Sequence, residues 1–408
     1  MSYFTQISYS DSGSLDAFTR LRVSNPDTLF STQMQYTTEP LQMESFNTAA
    51  GVAPTWGANT RMIACQCTNT GTSGLQSFMY APYHPGKSQF IAVTFVLGSG
   101  VAASTVDVGY FDANNGVILR QNGATNLQLI LRTSTSGSVS DANIVAQSAW
   151  NIDKMDGTGA SGITLDVTKA QILVIDLQFL GMGRVRVGFD VNGVIYYAHQ
   201  FLNANSLTVP YMQTATLPVG FLVTSTGGSK TANFKCATVL SEGGSWEDQG
   251  FRFSTPEATV TAGNGTRTFM MSLRPKTTFN GISNRETCLL QAVNIAVTGN
   301  NAVKWELIVN ATFSVAPTYA DVNTTYSGYE YGTGGTFTNI TSGVILQSGY
   351  CGSVSAVTAE IDRAVSIHCP ITLDRAGAVR GLGTYYLFVT GTTNTSATRA
   401  TMEFVEIR

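Results

Sequence analysis

The sequence predicts an all-β chain of two β-sandwiches in series behind an extended N-terminal arm. Three observations carry that prediction. Helical periodicity is nearly absent, because no stretch of about 11 residues keeps apolar side chains at i, i+3, i+4 and i+7 without Gly or β-branched interruptions. Strand-length runs recur instead. Charged residues make up only 12% of the chain, about half the roughly 25% usual for soluble domains. Gly, Ser, Thr, Asn and Gln replace them, residues that suit pleated surfaces and tight turns.

Along the chain, residues 1–45 mix scattered aromatics with a basic-apolar segment, Leu15–Phe30 (LDAFTRLRVSNPDTLF). They read as an arm that packs on a neighbour or on its own domain, and Phe18, Arg20, Leu21, Arg22, Leu29 and Phe30 are its candidate interface residues. The first sandwich spans 46–245. Its strands include Ser88–Leu97, Asn126–Ser134, Gln171–Phe179, Arg184–Asp190, Val194–His199 and Pro218–Thr224. In Arg184–Asp190, Val185, Val187 and Phe189 share one face while Arg184, Arg186 and Gly188 share the other, as in a half-buried antiparallel strand. Asn192–Gly193 suits a type I′ hairpin turn. A Gly- and acid-rich seam, Leu240–Phe251, precedes the second sandwich at 246–408. Strand patterns resume there at Thr268–Arg274, Glu286–Val297, Ala302–Val309, Gly343–Gln347, Thr384–Thr390 and Ala400–Arg408.

Composition narrows the partners. Net charge is −3 with 23 basic residues, and no window is rich in Lys or Arg, so neither nucleic acid nor an anionic membrane is an expected partner. No apolar run approaches the roughly 18 residues of a membrane span, and the opening MSYFTQISYS lacks the basic and apolar regions of a secretion signal. The six cysteines form no C-x-x-C pair. They read as buried thiols, which fits assembly in a reducing cytoplasm.

Candidate chemistry is sparse. Asp153, Asp156 and Asp166 gather carboxylates around a Gly-rich turn, a donor set that calcium favours. The D-x-x-D-G spacing departs from an EF-hand loop and equally suits an Asx turn. The turn is the first reading, calcium held by these three ligands is the alternative, and no other cofactor is expected. Tyr326, Tyr329 and Tyr331 lie in a Gly-rich stretch that reads as an exposed loop able to bind a ligand such as a glycan. His84, His199 and His368 are too scattered for zinc. No nucleophile elbow or phosphate loop occurs.

Several phrases resemble a family of β-sandwich structural proteins from tailed bacteriophages and large DNA viruses. Leu15–Phe30 is similar to the family's D-A-F-x-R-L-R-V-S-x-P-x-T-L-F arm. The likeness continues at Tyr83–Gln89 (YHPGKSQ), is strongest across Trp150–Asn205, and returns at Arg274–Arg285 and Trp305–Asn310. It departs from the pattern at Thr19, where the family has Gly, which argues against a tight turn there. The resemblance implies a concanavalin-like or jelly-roll sandwich in a virion, on the capsid surface or the tail. The implied partners are other virion proteins and copies of itself, a trimer being the usual form of a fibre. The implied location is a particle assembled in the host cytoplasm. A lectin-like module recognising host-surface glycans is the alternative. Glu360–Ile361–Asp362 echoes the E-x-D-x-x-E motif of concanavalin-fold glucanases, but Val365 stands where the third acid belongs. No catalysis is expected.

Overall fold

The computed structural model describes residues 13–243, 250–340 and 343–408. The fold is all-β, as the sequence predicts. The described residues hold a single α-helix, α1 (Arg363–His368), and no helix among them is long and apolar enough to cross a membrane. The chain divides into two compact units. The division falls inside 244–249, the heart of the predicted seam, which lies outside the described residues. Phe78–Tyr80 belongs to the second unit although it interrupts the first in sequence.

The first unit contains β1 (Asp27–Thr32), β2 (Met43–Trp56), β3 (Ile63–Ser77), β4 (Ser88–Val96), β5 (Ser104–Phe111), β6 (Gly116–Asn122), β7 (Asn126–Thr133), β8 (Ser140–Ala146), β9 (Gln171–Leu177), β10 (Val185–Val191), β11 (Val194–Phe201), β12 (Val219–Ser225) and β13 (Lys230–Glu242). All pair antiparallel in one curled sheet, in the order β11-β10-β9-β4-β13-β3-β12-β5-β6-β7-β8, with β1 added to β13 and β2 to β3. The long strands make the corners. The Ile63–Cys67 end of β3 pairs with β13, and its Gly71–Gln76 end pairs with β12. One strand therefore serves both layers, as a curled sheet requires. Alternating side chains fill the interior: Ile91, Val93 and Phe95 of β4, Val106, Val108 and Tyr110 of β5, and Ala232, Phe234, Ala237 and Val239 of β13. The β10–β11 hairpin turns at Asn192 (φ 55°) and Gly193 (φ 86°), and the two positive φ values make the expected type I′ turn.

The second unit contains β14 (Phe251–Ser254), β15 (Ala258–Ala262), β16 (Thr268–Pro275), β17 (Thr278–Phe279), β18 (Ile282–Ser283), β19 (Thr287–Val297), β20 (Val303–Val309), β21 (Thr312–Val315), β22 (Thr318–Asp321), β23 (Tyr329–Thr333), β24 (Thr336–Asn339), β25 (Val344–Cys351), β26 (Ser355–Glu360), β27 (Tyr385–Gly391) and β28 (Ser396–Ile407). A five-stranded sheet, β14-β28-β19-β26 with β15 also on β28, lies against a six-stranded one, β22-β23-β16-β27-β20-β25. The rings of Tyr329 and Phe404, one from each sheet, sit 5.6 Å apart. On the outer face of the six-stranded sheet, Phe313 of β21 and Phe337 of β24 cover Phe269, Ile308, Tyr386 and Phe388. The two-stranded β21–β24 ribbon thus supplies the cover that an apolar outer face demands.

Candidate functional site

The densest constellation of charge lies where the N-terminal arm meets the first unit's sheet. Leu173, Ile175 and Leu177 of β9 point into the core, so Val174 and Asp176 point out on the opposite face of the pleat. Arg186 of β10 faces the same way, because it pairs with Asp176 in the antiparallel register. Residues 13–22 fold over that face and bury it. Asp176 and Arg186 are both 0% exposed. The sequence predicts a half-buried β10; the structure buries its polar face too, because the arm covers it.

Asp176 is held from four directions. It pairs with Arg186 and with Arg22 Nη2 at 2.7 Å. It accepts the Tyr197 hydroxyl at 2.9 Å and the Ser88 hydroxyl at 3.0 Å. The arm's backbone is caught by the same set. Arg186 Nη2 donates to the Leu15 carbonyl at 2.7 Å, Arg184 Nη2 donates to the Ala17 carbonyl at 3.2 Å, and the Ala17 amide donates to Ser88 Oγ at 3.2 Å. Arg22 also pairs with Glu242 at 2.6 Å and lies 4.8 Å from the Phe90 ring centre. The Arg186 guanidinium stacks 4.1 Å over Tyr197.

Electrostatics follow from that burial. Burial opposes the Arg22 charge, but Asp176, Tyr197 and Glu242 outweigh it and raise its pKa. Burial and the Asp176 charge raise the Tyr197 phenol. Burial, only partly offset by Arg22, pushes Glu242 up to about 6. Beside the cluster is an open hollow of about 430 Å³ lined by Asp16, Arg20, Leu21, Arg22, Phe90 and Glu242, among others. Its charges are mutually balanced, and Asp176 and Arg186 are sealed from solvent. The arrangement clamps a chain segment against the sheet.

The arm's turn corrects the reading of Thr19. Asp16 N–H donates to the Arg20 carbonyl and Thr19 N–H to the Asp16 carbonyl, at 2.9 and 3.0 Å. Thr19 adopts φ 63°. A tight left-handed turn therefore forms with a threonine where glycine would be relaxed. Of the candidate interface residues, Leu29 and Phe30 are 0% and 1% exposed and lie in β1, paired to β13. They are corrected to core residues of their own subunit. Arg22 is corrected likewise, since its ion pairs are internal. Arg20 pairs with Asp16 at 2.7 Å yet keeps an exposed side chain. Leu21 is 43% exposed, and Phe18 is half-buried beneath the Arg20 guanidinium.

The calcium expectation is also corrected. Asp153 accepts the Met155 and Ser161 amides at 2.8 and 2.7 Å. Asp156 accepts the Thr158 amide and hydroxyl, and Asp166 the Thr168 amide and hydroxyl. Each carboxylate closes its own Asx turn, and no group of three metal-ligating side chains occurs among the described residues. Burial raises the Asp153 carboxyl, but the Ser161 and Met155 amides outweigh it and leave its pKa below the usual value.

Tyr329 is corrected from loop to core. It is 0% exposed, and its hydroxyl donates to the Glu286 and Ile371 carbonyls at 3.1 and 3.3 Å. Tyr326 is exposed and Tyr331 half-buried. Glu360 ends the edge strand β26, and Asp362 caps α1 by accepting the Ala364 amide at 2.7 Å, so the two acids do not face one cleft. Burial lowers His199 to about 4, and its Nδ1 accepts the Asn151 amide at 3.2 Å.

Three features escaped the sequence. Asp176 is the lone acid in QILVIDLQF, and that isolation was the signal for it. Lys230, 2% exposed, donates to the Leu97 and Ser99 carbonyls and to Gln121 Oε1 at 2.7, 2.6 and 2.7 Å; nothing in its sequence neighbourhood marks it. In the second unit, Glu406 (0% exposed) takes bonds from Ser327, Gly328 N–H and Arg408. Glu286 shares Arg408 at 2.8 Å.

No family model matches the chain, and no curated protein matches it. Among solved structures it is similar to the endo-1,3-beta-glucanase of Streptomyces sioyaensis, at 10% identity and TM-score 0.34 over 54% of this chain and 98% of that one. The carbohydrate recognition domain of Emp47p aligns at 10% identity and TM-score 0.33, covering 54% of this chain and 99% of that one. The beta-glucanase of Bacillus licheniformis aligns at 10% identity and TM-score 0.32, covering 54% and 100%. Likeness at this level leaves the chain's own strand order and burial as the grounds for its fold, and transfers no activity.

Proposed function

We propose that this chain is a structural subunit of a bacteriophage particle, on the capsid surface or tail, working by protein–protein assembly and performing no catalysis. One observation carries the reading. The three stretches that most resemble phage virion proteins, Leu15–Phe30, Tyr83–Gln89 and Trp150–Asn205, meet at one buried cluster. Arg22 comes from the first and Ser88 from the second. Asp176, Arg184, Arg186 and Tyr197 come from the third. Their shared residues are scaffolding: they fasten an arm to a sheet. In this reading the subunits assemble in the host cytoplasm as homo-oligomers alongside other virion proteins.

The test is to purify particles from a lysate of the infected host and look for the chain by mass spectrometry and cryo-EM. The expected result is stoichiometric density for both units at fixed lattice or tail positions. Particles that lack the chain while the free protein accumulates in the lysate would overturn the reading.

A second reading, a receptor-binding module for host-surface glycans, draws on Tyr326, which is 66% exposed in a polar loop of the kind that stacks on sugars. A glycan array separates the two. Binding that is lost in Tyr326→Ala supports the second reading, and a blank array removes it.

A further inference from the structure

Among the described residues, one side of the second unit's sandwich ends in two edge strands with no further strand paired to them. β25 ends the six-stranded sheet and β26 ends the five-stranded one. The two strands are consecutive, joined through Gly352–Val354, and Gln347 Nε2 ties them by donating to the Glu360 carbonyl at 2.9 Å. An edge strand offers unpaired amides and carbonyls to any passing chain, and natural monomers blunt such edges with charge or proline. The other edges here follow that rule. β22 starts after Pro317 and carries Asp321, which pairs with Lys276 at 3.1 Å. The β14–β15 edge carries Arg252, Pro256 and Glu257. β25 carries no charged residue and no proline, and β26 carries no proline and a single charge, Glu360 at its end. Ile345, Tyr350 and Val354 are 44%, 69% and 71% exposed. Ile345 and Tyr350 stand on the same face as their partners Ile308 and Lys304. A bulge opposite Leu307 and Ile308 bends only the start of β25.

We propose that β25 and β26 pair edge to edge with the same two strands of a second copy of this chain, across a two-fold axis. The occupant follows from the geometry. Covering both edges at once takes a partner with two edge strands at the roughly 10 Å spacing of stacked sheets. A single peptide strand covers only one of them. The same hairpin on a second copy has the right spacing and length, about 27 Å for eight residues. β25 sets no like charges against each other across the contact, and the hairpin's one charge, Glu360, stands at the far end of β26. The joined sheets run through both molecules, as isologous symmetry allows. This deepens the assembly reading and rests on it for its setting in a particle. A two-fold contact also predicts an even-numbered oligomer, where the fibre analogy implies a trimer.

The test is sedimentation of the purified full chain across about 1–50 μM, with hydrogen exchange of 344–360 at each end of the range. The concentrations are an order-of-magnitude choice suited to ordinary dimers. The expected result is a reversible dimer whose 344–360 amides gain protection with concentration. Two separate variants, Ile345→Lys with Tyr350→Lys and Thr358→Lys, should each weaken the dimer at least ~10-fold while leaving both thermal transitions in place. A monomeric or trimeric wild type, or variants that dimerise as tightly as wild type, would overturn the proposal. None of these results bears on whether the chain is found in particles, so the two readings fail separately.

Discussion

Replacing Asp176 with alanine removes the carboxylate on which the arm clamp converges. Arg186 then remains fully buried without the carboxylate it pairs with, while the Leu15 carbonyl and the Tyr197 ring stay beside it. Arg22 retains Glu242. Breaking a buried ion pair by deleting one partner costs about 3–5 kcal/mol, because the stranded charge stays desolvated. For a unit of 150–250 residues each kcal/mol moves Tm by about 2–4 °C, so the first unit should melt roughly 6–20 °C lower. Scanning calorimetry of the full chain measures this, with the second unit's transition as an internal reference that should not move. Hydrogen exchange adds a local readout, since amides of residues 15–22 should lose protection well below the new transition. Replacing Asp176 and Arg186 together with leucine removes the stranded charge, leaves the Arg22–Glu242 pair in place, and should recover most of the loss. A first transition lowered by less than about 3 °C, or arm amides that exchange at the wild-type rate in Asp176→Ala, would refute the clamp.

Four further expectations follow from the same coordinates. Thr19→Gly should stabilise the first unit by about 1 kcal/mol, because Thr19 sits at φ 63°, where a Cβ is penalised; denaturant melts showing a loss would contradict the turn. Lys230→Met should destabilise it by about 2 kcal/mol, since three acceptors, two of them buried, lose their donor, and urea titration measures the change. Glu286 is pushed up to about 7 by burial and by the Glu406 charge, against the pull of Arg408. Its protonated form is therefore favoured by folding: the contribution is complete below about 4.5, the unfolded value, and is lost as pH rises through 7. The second unit's Tm should fall between pH 5 and 8, and Glu286→Gln should flatten that slope; equal slopes would argue against it. Finally, calcium and chelator should leave the melting curve unchanged, whereas Gly159→Ala should lower it, because a Cβ there would lie 1.9 Å from Asp153 Oδ1.

How much of this was legible in the sequence depends on the range of the interaction involved. Strands such as Asn126–Thr133 and Thr268–Pro275 were readable because alternation along one segment records which face is buried. The Asn192–Gly193 turn was readable because φ > 0 at two successive positions is a local demand. The full length of β3 and β13 is not legible in the sequence, since a strand that serves two layers changes its buried face partway and blurs the period. The site was less legible still. Leu15–Arg22 looked adhesive, and it is, but only the tertiary structure decided that it adheres to its own sheet. That outcome rests on the register that puts Asp176 beside Arg186 and on Ser88 and Tyr197, which come from two other strands. Likewise the spacing of Asp153, Asp156 and Asp166 shows three acids near one another, while the backbone path decides that each turns to its own amides. A sequence determines periodicity and turn chemistry residue by residue. Which charges meet depends on chain segments brought together from far apart, and those meetings are settled only when the sheet curls and the arm closes over it.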